Sequence, residues 1–72
     1  MLKLSLVVEG PAHAGKGHLL ALLAHTLRSY GLDVVVQGES SHNAPKLAKS
    51  DEELVRRLAG TTIVLREMQT SI

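Results

Sequence analysis

The chain has 72 residues, no cysteine, one aromatic residue (Tyr30) and a formal net charge of +1. A chain this short is one small domain at most, and the missing cysteine excludes disulfides and thiolate metal sites. Base stacking on aromatic platforms is excluded too, and so weak a positive charge speaks against a dedicated nucleic-acid binder.

From the N-terminus, Leu2 to Val8 alternates and then becomes continuously apolar, which predicts a strand with one end buried. Glu9-Gly10-Pro11 follows at once. No stretch reaches the roughly 18–20 apolar residues of a membrane span, and a signal peptide would need a longer apolar region with a cleavage site. The expectation is a cytoplasmic protein with no membrane association. Residues 10–17 form a glycine-rich turn. From about Lys16 to Tyr30, the spacing of Leu19, Leu20, Leu22, Leu23, Leu27 and Tyr30 predicts an amphipathic helix, with Gly31 at its C-terminal cap. Asp33 to Val36 is a β-branched run, read as a buried strand.

Gln37 to about Lys49 contains Gly38, Ser40, Ser41, Asn43 and Pro45 and reads as a polar loop, longer than most connections. Ser50-Asp-Glu-Glu53 is a capping box that opens a second helix through Leu54, Val55, Leu58 and Ala59, stopped by Gly60. Thr61 to Leu65 predicts a third strand, and residues 66–72 a loosely ordered tail.

This order predicts an α/β fold filling residues 1–72 as one domain: a minimal βαβαβ unit, with a three-stranded parallel sheet and two helices. The turns after parallel strands share one sheet edge. The Gly10–Gly17 turn, the Gln37–Lys49 loop and Arg66-Glu67 should then be neighbours. Strand order stays open between 2-3-1 and 2-1-3, and the two bare sheet edges predict a homodimer.

The turn reads Gly10-Pro-Ala-His-Ala-Gly15-Lys16-Gly17, a Gly-x4-Gly-Lys spacing with a predicted strand before it and a predicted helix after it. Glycines let backbone N–H groups converge on an anion, the helix start adds partial positive charge, and a lysine neutralises outer phosphates. With glycine at about 7% of average usage, the spacing arises by chance in a chain this short roughly a few per cent of the time. The competing reading is a tight turn with an exposed lysine.

Glu9-Gly10-Pro11 through Ala14-Gly15-Lys16-Gly17 resembles the first turn of P-loop nucleoside-monophosphate kinases, in its wording closest to adenylate kinases. Glu9-Gly10, and Leu27 to Gly31 leading into Asp33–Val36, are more similar to thymidylate kinases. The resemblance covers about the first half of the chain. It implies that Gly10, Gly15, Lys16 and Gly17 hold the phosphates of a nucleoside triphosphate, ATP or GTP with Mg2+, and His13, Ala14 and His18 are the further phosphate-binding candidates of the same turn. Glu39, His42, Arg66 and Glu67 are accessory candidates at the same sheet edge. The chain departs from that family where Gly17 and His18 stand in place of a hydroxyl residue, where His13 replaces a loop glycine, and where Arg66-Glu67 replaces a terminal aspartate. It also has no room for lid arginines or an acceptor site, so the turn resembles a truncated and degenerate kinase rather than an efficient catalyst.

Among the other residues, His18 and His25 are seven apart, too far for one metal ion, and the helical zinc spacing is absent. His13 with His42 is a conceivable pair, but solvated, unrelated histidines are the preferred reading. Glu39 sits where a dinucleotide fold places its ribose-binding acid, without the glycine pattern that fold requires. Arg56, Arg57 and the Asp51–Glu53 cluster read as a solvated helix face, and Ser40-Ser41 as loop polarity. Two functions follow. One is a phosphate- or nucleotide-binding domain without efficient catalysis. The alternative is a non-enzymatic protein-interaction module, of the kind phages use to modulate host proteins, that keeps the scaffold and works through its surface.

Overall fold

A computed structural model describes residues 3–11, 14–38 and 40–69, without the side chains of 40–42. The element order is α1 (Lys16–Ser29), α2 (Ser40–Leu47) and α3 (Asp51–Arg57), and the described residues contain no strand. None of these helices is long and apolar enough to cross a membrane.

α1 begins where its sequence pattern says it should and ends in a complete Schellman turn. Gly31 takes φ +83°, its N–H donates to Arg28 O at 2.9 Å, and Leu32 N donates to Leu27 O at 3.3 Å. α3 is capped by Ser50, whose Oγ accepts from Glu53 N at 3.3 Å. Its first turn carries Asp51, Glu52 and Glu53 and its last turn Arg56 and Arg57, so both ends match the helix dipole.

The predicted loop 37–49 is corrected, because most of it is α2. Pro45 lies inside that helix, where it removes a backbone donor and costs helix propensity. Packing of α2 along α1 outweighs that local cost. A proline and two serines therefore misread this segment as a loop.

The α/β assignment is corrected too: there is no βαβαβ unit, no parallel sheet and no P-loop architecture among the described residues. A parallel sheet needs helices covering its faces. Here α1 packs on α2 and α3 instead, and the buried apolar residues are Ala21, Ala24, Leu54 and Leu58. Apart from Leu2, which lies outside the described residues, the predicted strands lie in segments 3–10, 32–37 and 61–69, which belong to no helix or strand. Two carbonyls that a ladder could use are taken by side chains. Lys16 Nζ donates to Gly10 O at 2.8 Å, and Arg28 Nη2 donates to Val34 O at 2.9 Å. Without a sheet, the open-edge argument for a homodimer falls.

The α1 core face differs from the leucine stripe as well. Ala21 and Ala24 are the buried residues, the leucines are half-buried, and Tyr30 is exposed. Small side chains let the helices approach closely, which periodicity of large residues does not report. Leu54, on α3, is the largest fully buried side chain among the described residues, and α3 packs on α1.

Candidate functional site

The start of α1 is built from glycine. Gly15, its N-cap, has φ +94° and ψ +21°, in the left-handed region that favours glycine, and it offers no side-chain cap. A Cβ added there would stand 3.2 Å from Leu58 Cδ2, so the same glycine also lets the turn close on the core. The first N–H groups of a helix have no intrahelical partner, and α1 has no acid in its first turn to meet them.

Around this end lies an open pocket of about 710 Å3 lined by Ala14, Gly15, Lys16, Gly17, His18, Lys46, Arg57 and Thr61. Lys16, Lys46 and Arg57 line it, from α1, α2 and α3, and there is no carboxylate among the described lining residues. Lys46 lies against the bare Cα of Gly17: a Cβ there would meet its Nζ at 2.6 Å and its Cδ at 2.7 Å. Lys16 spends one ammonium proton on Gly10 O and keeps two. His18 Nε2 lies 3.4 Å from Lys49 Nζ. Burial, seconded by Lys49, Lys46 and Arg57 and opposed by Glu53, holds His18 below the usual histidine range.

Of the residues singled out in the sequence, Ala14, Gly15, Lys16, Gly17 and His18 line this pocket, and Gly10 joins them through its carbonyl. His13 and Glu39 lie outside the described residues, as does the side chain of His42, whose backbone belongs to α2. Arg66 and Glu67 are exposed in the segment 61–69, and from that segment it is Thr61 that reaches the pocket. Lys46 and Arg57 are the residues that sequence reasoning missed. Arg57 passed for a solvated face residue and Lys46 for loop, since nothing local connects either to the glycine turn.

His25 is more than a solvated histidine. Its Nδ1 lies 2.8 Å from Asp51 Oδ1 and its Nε2 2.7 Å from Leu47 O. The ring thus ties α1 to the last residue of α2 and the first of α3. No three His, Cys, Asp or Glu residues gather as a metal cluster among the described residues.

The arrangement is chemically one-sided: among the described lining residues, backbone N–H groups and three cations meet at a helix's positive pole, with Glu53 acting on His18 from outside the lining. Comparison of the chain with protein-family models, curated proteins and solved structures finds no match.

Proposed function

We propose that the chain binds a phosphate-bearing anion at the start of α1 and does not turn it over. The observation that supports this reading is the placing of Lys16, Lys46 and Arg57 at the positive end of a helix that has neither a side-chain cap nor a first-turn acid. Each cation near that pole costs the empty protein about 0.3–1 kcal/mol, and a bound phosphate adds an attraction to each cation and to the pole that opposes this cost. The Gly15–His18 backbone offers donors to the phosphate oxygens, as helix N-termini do for anions. Binding rather than catalysis is the better reading because the cations and backbone donors among the described lining residues outnumber the single candidate base, His18.

The test is calorimetric titration of inorganic phosphate, ATP and GTP, each with and without Mg2+, into the chain and into Lys16→Ala, Lys46→Ala and Arg57→Ala. Loss of one charged hydrogen bond of about 1.5–3 kcal/mol weakens binding by roughly tenfold or more. Equal affinity for all three ligands makes phosphate the recognised group, whereas a preference for ATP or GTP extends the site to the nucleoside. Heat signals that persist unchanged in all three variants, or no binding at about millimolar ligand, end the proposal.

A further inference from the structure

Size and charge at the start of α1 both exceed what one phosphate asks for. The pocket holds about 710 Å3, inside the range of about 300–1,000 Å3 that whole small molecules fill. An orthophosphate ion has five heavy atoms, on the order of 150 Å3 if each takes the volume of a molecule in liquid water. Its charge at neutral pH is about −1.5 to −2. Lys16, Lys46 and Arg57, with the half charge of the helix pole, present about +3.5 to the cavity. Lys49 stands behind them, its Nζ 3.4 Å from Nε2 of the lining residue His18. The one ion-pair contact among the described residues joins His25 to Asp51, so none of these cations has a carboxylate partner there. Lys46 even lies against Gly17, at the like-charged pole itself, where an added Cβ would meet its Nζ at 2.6 Å.

Resting on the reading of this pocket as a phosphate site, we propose that its ligand is a compact oligophosphate, a diphosphate or triphosphate group taken metal-free and without recognition of any nucleoside attached to it. A second phosphate brings further charge-assisted hydrogen bonds to cations that the first leaves unpaired. Arg57 suits the task, since its planar guanidinium takes two oxygens at once. Recognition stops at the phosphates. Tyr30 is the single aromatic residue of the chain, and as the C-cap of the 14-residue α1 it stands about 20 Å from the pocket. Ala14 is the largest wholly apolar side chain among the described lining residues, so they offer no platform on which a base stacks. They offer no seat for Mg2+ either, which proteins hold through one or two carboxylates. Ammonium and guanidinium groups neutralise the phosphates in its place.

Calorimetric titration of orthophosphate, diphosphate, triphosphate, ATP and GTP into the full chain, each with and without excess Mg2+, tests this. Diphosphate should bind at least about tenfold tighter than orthophosphate, the equivalent of one added charged hydrogen bond. Triphosphate should equal or exceed diphosphate. ATP should then outbind orthophosphate as well, and triphosphate shows which part of the nucleotide is responsible, since ATP and GTP should bind no tighter than triphosphate does. Mg2+, by neutralising the ligand, should weaken every oligophosphate. Arg57→Ala and Lys46→Ala should each shrink the preference for diphosphate over orthophosphate. Arg56→Ala removes the same charge from the exposed neighbour outside the lining and should leave that preference as it was. Far-UV circular dichroism checks that the three variants keep their helices. Orthophosphate binding as tightly as diphosphate overturns the inference and leaves the phosphate site standing. Nucleotides that outbind triphosphate overturn it in favour of a nucleoside, binding strengthened by Mg2+ in favour of a metal, and equal losses in Arg56→Ala and Arg57→Ala in favour of diffuse attraction. Silence from all five ligands ends the phosphate reading itself.

Discussion

The two helix starts of this molecule solve one electrostatic problem in opposite ways. α3 opens with Ser50 in extended backbone, φ −72° and ψ 157°, its hydroxyl on Glu53 N and three acids in its first turn. α1 opens with a left-handed glycine, no cap and no acid, and gathers Lys16, Lys46 and Arg57 about its positive pole. Residue by residue the contrast is closest at the third helical position, which is Glu53 in α3 and His18 in α1. One end is complete by itself. The other has neither a cap nor a first-turn acid, and on the proposed reading an anion completes it.

The largest way to break the comparison is to unlock one helix from the other. Leu54→Ala should cost about 2–5 kcal/mol, as buried leucine truncations do, and chemical denaturation measures it. Because α3 also carries Arg57 to the pocket, phosphate affinity should fall in the same variant. Next comes Gly15→Ala, which forces a Cβ into left-handed backbone at 3.2 Å from Leu58 Cδ2. A loss of about 1–3 kcal/mol is expected; an unchanged melting temperature would show that the turn relaxes freely.

Ser50→Ala strikes the self-sufficient end. It should cost about 1 kcal/mol of stability and leave phosphate titrations as they were, whereas a drop in affinity would mean the two ends are not independent. His18→Glu sharpens the contrast by giving α1 the acid that α3 already has. Stability of the empty chain should rise by about 0.3–1 kcal/mol while phosphate binding disappears, so retained binding would refute the reading of this end as an anion site.

The smallest effect is one of pH. With His18 held below the usual histidine range, the unfolded chain takes up a proton more readily than the folded one. The stability of the empty protein therefore declines as pH falls through the ordinary histidine value of about 6.5, until His18 is itself protonated. A bound phosphate lifts His18 and reduces that decline. Melts between about pH 5 and 8, with and without phosphate, should differ in slope, and His18→Gln should shrink the difference to the part that phosphate's own titration in that window supplies.

How much of this could be read in advance depends on how local each signal is. The α1 start at Lys16, the Gly31 turn and the Ser50–Glu53 cap are written within a few residues of where they act, and each was legible. Valine-rich runs such as Asp33–Val36 report a β preference but not a pairing partner, and the predicted sheet depended on partners far along the chain. α2 was hidden because Pro45 and two serines argue locally against a helix that contact with α1 sustains. The glycine-turn half of the pocket was legible for the same local reason. The Lys46 and Arg57 half was not, since it exists only once α2 and α3 have packed.

The His25 joint has a mechanical consequence. Lys46, which leans on Gly17, is followed directly by Leu47, whose carbonyl His25 holds at 2.7 Å. The arm that reaches into the pocket thus has its pivot pinned one peptide bond away, and the same ring lies 2.8 Å from Asp51 at the foot of α3. Two of the three helices that supply cations hinge on this ring, and the ring itself stands on the third. Charge can swing at the tips of the side chains while the frame carrying them stays in register.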